Sequence, residues 1–149
     1  MALSASQEAV LNELVVNIPN SVSWCMFGST DSVLRGLDDD PADIDVLTTE
    51  SGAKRFRAVF SDEFVGTHEI GVSQIDEYRV HDEELEVLFS KREREHQEPL
   101  VDLGAVELEA TADRGIPLLP LKPLVEAYRK IDKHDTADRL EDEFDLTDG

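Results

Sequence analysis

Residues Asp43-Ile44-Asp45-Val46-Leu47 constrain this chain more than any other segment. Carboxylates alternating with branched apolar residues fit a strand with one buried face, because successive side chains on a strand point to opposite sides. Ile44 and Val46 then enter the core. Asp43 and Asp45 share the opposite face, their Cα atoms about 6.6 Å apart at the usual strand rise. Two carboxylates held that close repel each other unless a cation sits between them. Magnesium suits such a pair, since it prefers hard oxygen ligands and commonly joins a few carboxylates to phosphate oxygens.

Upstream, Val22-Ser-Trp-Cys-Met-Phe27 is β-prone and mostly apolar, as a buried strand requires. Gly28-Ser29-Thr30-Asp31 is expected to turn the chain into a short helix from Ser32 to Leu37. A strand that ends in Gly-Ser and opens a helix presents backbone N–H groups to an anion, with the Ser29 hydroxyl as a further donor. Arg35, on the same short helix, is within reach of a phosphate held there; its alternative is a solvated helix arginine. A third acid comes from Leu85-Glu86-Val87-Leu88-Phe89, where Glu86 points away from the core side of its strand. As a ligand it would hold a second cation, and as a general base it would deprotonate a hydroxyl.

The remaining pattern frames these residues. Val10, Leu11, Leu14 and Val15 stripe a helix from Gln7 to Val16, with Ser4 or Ser6 as its cap. Ala53, Phe56, Val59 and Phe60 stripe another from about Ser51 to Phe60. Alternation after Gly66, a turn at His81-Asp82-Glu83-Glu84 and the return through Leu85–Phe89 predict a hairpin. Short strands are expected at Val106–Ala110 and Gly115–Leu119. Two helices follow, one carrying Leu121, Leu124, Val125 and Tyr128, the other running from about Thr136 to Phe144. Parallel and antiparallel signals mix, so the fold class is α+β: one mixed sheet flanked by helices, with C-terminal helices, in a single domain over residues 1–149.

Composition removes several function classes. Lys and Arg number 14 against 34 Asp and Glu, for a net charge of −20. That excludes a broad electrostatic grip on DNA or RNA and on an anionic membrane surface. The single cysteine, Cys25, excludes an internal disulfide framework and a thiolate metal cluster within the chain. No apolar run approaches the ~20 residues of a membrane span, and the N-terminus lacks the features of a signal peptide, so a cytoplasmic protein is expected. Acid spread along the whole chain, with few lysines, suits a halophilic, high-salt cytoplasm in which self-repulsion is screened.

Phe27-Gly28-Ser29 followed by Ala42-Asp43-Ile44-Asp45-Val46 resembles the signature of the DNA polymerase β-like nucleotidyltransferase superfamily, especially its small single-domain members. Leu85-Glu86-Val87 matches the later strand that carries that family's third acid, here Glu in place of the commoner Asp. The segment Gly115–Tyr128 resembles the closing strand and helix of such proteins. The resemblance spans about residues 22–140 and implies a nucleotidyltransferase-like fold. It implies magnesium-dependent transfer of a nucleoside monophosphate from a nucleoside triphosphate (NTP) to an acceptor hydroxyl, with release of pyrophosphate. Asp43, Asp45 and Glu86 would be the catalytic, Mg2+-binding residues of a two-metal site, and Gly28, Ser29 and Arg35 would hold the nucleotide. The acceptor stays open among a small molecule, a tRNA end and a protein side chain; the charge makes other nucleic acids poor partners. Asp38, Asp39 and Asp40 would repel a triphosphate if turned inward. The alternative is a non-catalytic module that keeps the fold and binds a nucleotide or a protein, such as the helical partner in a toxin-antitoxin-like pair.

Overall fold

The computed structural model describes residues 3–37, 39–70, 73–90, 100–111 and 114–144. Helix α1 (Ala5–Asn17) leads into β1 (Trp24–Phe27), α2 (Gly28–Leu34), β2 (Ile44–Thr48) and α3 (Glu50–Val59). A short 3-10 turn (Ser61–Glu63) precedes three long strands, β3 (Phe64–Ile70), β4 (Ser73–Val80) and β5 (Glu83–Ser90). Two short strands, β6 (Glu109–Ala110) and β7 (Pro117–Leu118), and helices α4 (Leu121–Lys130) and α5 (His134–Phe144) complete the chain. The main sheet has the order β1-β2-β5-β4-β3, and β6 pairs with β7 in a second sheet. Among the described residues only the β2–β5 pair of this sheet is parallel; β1–β2, β4–β5 and β3–β4 are antiparallel. The fold class is therefore α+β with a mixed sheet, as the sequence predicts.

Local chemistry sets most boundaries. Ser4 caps α1 through a capping box with Gln7, and Thr49 caps α3 by accepting from the Gly52 amide. The β4–β5 hairpin turns on His81 and Asp82, both at positive φ (51° and 63°), which suits the right-handed twist of the flanking strands. The predicted turn at residues 28–31 is corrected: α2 begins at Gly28 itself, directly off β1, and ends at Leu34. Strand β3, an edge strand, had no counterpart in the sequence reading.

Strand alternation sorts the core into two layers. Met26, Ile44, Val46, Tyr78, Val80, Leu85 and Val87 face α1 and α3, and pack on Val10, Leu11, Leu14, Phe56 and Phe60. Cys25, Phe27 and Leu47 face the other way, against Leu124, Tyr128, Ala137 and Leu140 of α4 and α5. Trp24 is core, edge-on to Phe56 with ring centroids 6.2 Å apart, and Cys25 is packed inside with its thiol pushed up to about 12 by burial. Among the described residues this second layer draws on β1, β2 and, through Leu88, β5, but on neither β3 nor β4. The β3–β4 part of this face of the sheet carries exposed His68 and half-buried Glu77, with Ile75 buried there at 5% exposure. The acids sit where the two parts of the face meet.

Candidate active site

Register builds the site. Asp45 lies opposite Phe27 on β1 and opposite Glu86 on β5, so Asp45 and Glu86 share that face. Asp43 stands just before β2, where the Thr30 hydroxyl of α2 donates to its backbone carbonyl at 3.1 Å. The three side chains converge: one carboxylate oxygen from each of Asp43, Asp45 and Glu86 lies within 4.8 Å of the others. All three are half-buried.

The electrostatics of this cluster are unfavourable to the bare protein. Burial pushes the Asp45 carboxyl up to about 8, with the charges of Asp43 and then Glu86 adding to it; the Lys133 ammonium works in the opposite direction. Glu86 is raised as well, first by burial, while a hydrogen bond from Asp45 to its carboxylate opposes the rise. One proton shared between Asp45 and Glu86 therefore relieves the crowding at neutral pH. Asp45 Oδ1 is nevertheless buried with no hydrogen-bond partner. A buried acceptor without a donor is costly, and a hard cation is the partner this all-oxygen donor set suits.

Gly28 answers to the acids. A Cβ added there would lie 2.5 Å from Asp45 Oδ2, and its φ of 72° is strained for any residue with a side chain. The close approach that requires a glycine here is that of Asp45. Beneath it Tyr128 of α4 stacks on Phe27 with centroids 4.7 Å apart. Its fully buried hydroxyl, raised by burial, faces the Gly28 backbone without a standard hydrogen bond. Ser29 follows, half-buried, in the first turn of α2.

Arg35 is buried, in contrast to the solvated helix arginine of the alternative expectation. Its Nε and one Nη grip both oxygens of Asp31 at 2.8 and 3.1 Å, and that Nη also donates to the Leu119 carbonyl at 2.6 Å. The side chain is 6% exposed and its partner 0%, so it ties α2 to the segment before α4. Of the loop acids, Asp39 pairs with Arg139 of α5 at 3.3 Å, and Asp38 lies outside the described residues. The Lys133 charge acts on Asp45, while Arg129 takes Asp138 at 2.9 Å and Glu141 at 2.5 Å. A cavity of about 400 Å³ opens at the far ends of β2 and β5, lined by Thr48, Ser51, Lys54 and Ser90 among others, but not by Asp43, Asp45, Glu86 or Gly28-Ser29.

No protein-family profile matches the sequence, and no curated protein matches it. Solved structures do. A candidate nucleotidyltransferase from Thermotoga maritima is similar with a TM-score of 0.72 and 22% identity, over 97% of this chain and 96% of that one. The chain has the nucleotidyltransferase fold. A second structure with this fold, ANT(2″)-Ia in complex with adenylyl-2″-tobramycin, is similar with a TM-score of 0.55 and 14% identity, over 90% of this chain and 87% of that one. On the nucleotidyltransferase fold of this chain, the three acids converge at one face of the sheet, with Gly28, the first residue of α2, against Asp45. Among the described residues, no helix is long and apolar enough to cross a membrane.

Proposed function

We propose that this protein is a magnesium-dependent nucleotidyltransferase that moves a nucleoside monophosphate from an NTP to an acceptor hydroxyl. The observation that carries the reading is the convergence of Asp43, Asp45 and Glu86 within 4.8 Å, with one Asp45 oxygen buried and unpartnered. Similarity to a protein crystallised with an adenylylated aminoglycoside supports a small hydroxylated acceptor over a tRNA or a protein. The net charge of −20 supports the same choice.

Asp43, Asp45 and Glu86 would hold Mg2+, which when bound neutralises phosphate charge and acidifies an oxygen ligand. Asp45 gives up its proton as it takes on a ligand role, so cation uptake releases a proton near neutral pH. The Gly28 and Ser29 amides and the Ser29 hydroxyl hold the departing phosphates by hydrogen bonds. Lys133, whose charge reaches Asp45, offsets the negative charge gathered there. Where Glu86 is not a ligand it serves instead as the general base, receiving the proton of the acceptor hydroxyl as the hydroxyl oxygen bonds to the α-phosphorus and pyrophosphate leaves. Arg35 is assigned to holding α2 in place through Asp31, outside the nucleotide contacts.

Transfer of label from α-32P-NTP to hydroxylated acceptors, aminoglycosides first, tests the proposal. Wild type with Mg2+ should label an acceptor, and the pair Asp43→Asn with Asp45→Asn should lose at least ~10³-fold of that rate. Equal rates in the two proteins would reject it. Nucleotide binding without turnover across all acceptors would leave the fold as a binding module.

A further inference from the structure

Beyond the three acids, the sheet register continues the row. Glu77 on β4 lies directly opposite Glu86, which lies directly opposite Asp45. Like charges opposite each other on neighbouring strands are destabilising. A cation held by Asp43, Asp45 and Glu86 accounts for the first pair. It leaves the second, Glu86 with Glu77, without a counter-ion from that site.

His68 on β3 comes to this second pair. Its Nδ1 stands 3.4 Å from Glu77 Oε1, and one ligand atom from each of His68, Glu77 and Glu86 lies within 4.8 Å of the others. The row runs onto the β3–β4 part of the sheet face that carries the acids, with His68 exposed and both glutamates half-buried. Three adjacent strands thus fix three donors of mixed type, one imidazole nitrogen and two carboxylates, with solvent free to fill a fourth position. A hard-oxygen cation such as Mg2+ gains little from an imidazole, whereas Zn2+, Co2+ and similar ions bind it well and accept three protein ligands plus water.

We propose that His68, Glu77 and Glu86 form a second divalent-cation site selective for borderline transition metals, sharing Glu86 with the first. Because one carboxylate serves both, an ion at the second site draws Glu86 away from Asp45. Zinc-class ions then oppose the arrangement that the magnesium reading requires. The site itself rests on the second triad alone and stands whether or not the protein transfers nucleotides.

The experiment uses Co2+ alone, titrated into the metal-free chain and followed by its visible absorption and by calorimetry. The wild type should bind Co2+ with a nitrogen ligand in its spectrum. His68→Gln and Glu77→Gln should each weaken binding by about tenfold or more, and Asp43→Asn with Asp45→Asn should retain the spectrum. Circular dichroism checks that the two strand variants, both on the β3–β4 part of the face, remain folded. Co2+ binding unchanged in both His68→Gln and Glu77→Gln, or lost in the Asp43/Asp45 double variant, would overturn the site. A null in the nucleotide assay with Co2+ binding intact would reject the transferase reading and leave this one standing.

Discussion

The protein buries carboxylates in two different ways. Asp31 and Asp76 come with donors: Asp31 receives both ends of the Arg35 fork, and Asp76 receives Thr67 Oγ1 at 2.8 Å, Gln74 Nε2 at 3.2 Å and the Arg57 guanidinium at 3.3 Å. Asp45 comes with none for its Oδ1 and with two like charges beside it. A buried acid that the fold itself satisfies is structural; one that it leaves unsatisfied is arranged for a partner from outside. The contrast separates the two kinds of acid in a chain where acidic residues are everywhere.

Stability measurements distinguish the two kinds of acid. The largest effect is expected at the satisfied pair: Arg35→Ala strands a fully buried Asp31 and should cost about 3–5 kcal/mol in urea unfolding. Asp45→Asn in the same assay, without cations, should cost nothing or stabilise, because the amide matches the protonated carboxyl in shape and can never place a charge between Asp43 and Glu86. A loss of stability in Asp45→Asn as large as in Arg35→Ala would erase the distinction. A smaller effect is expected at Gly28, where alanine meets Asp45 Oδ2 and a positive φ. Gly28→Ala should cost about 1–3 kcal/mol, and cation binding should weaken because Asp45 must move. Calorimetric titration of Mn2+ into the folded variant reads that second effect.

Much of the site was legible because it is local. Phe27-Gly28-Ser29 and Asp43-Ile44-Asp45 carry their geometry in strand alternation and in a glycine that tolerates positive φ, and Glu86 announces itself as a charge inside an apolar strand. What the sequence hid is long-range. Strand β3 (Phe64–Ile70) reads poorly because it is an edge strand, interrupted by Gly66 at an irregular register with β4, so His68 had no neighbour to be read against. Without the β2–β5 and β4–β5 registers, Glu77 was one more polar position in an alternating run. Arg35 misled for a related reason: its partner is only four residues away, but what buries the pair is the Leu119 segment and the C-terminal helices, far along the chain. The turn expected at 28–31 failed because helix α2 starts on the glycine itself, so the chain needs no intervening loop.

The pH dependence of stability, with and without Mg2+, reads the unsatisfied Asp45 carboxyl itself. An acid raised to about 8 in the folded protein holds a proton that the unfolded chain, with an ordinary carboxyl, has already released. The cation-free protein must therefore lose stability as pH rises from about 4 to 8, the reverse of the behaviour of a salt-bridged acid. Saturating Mg2+ should restore most of that loss at pH 8 in the wild type and none of it in Asp45→Asn, whose own profile should be flatter throughout. A wild-type profile that is flat without Mg2+, or one that Mg2+ leaves unchanged at pH 8, would contradict the account.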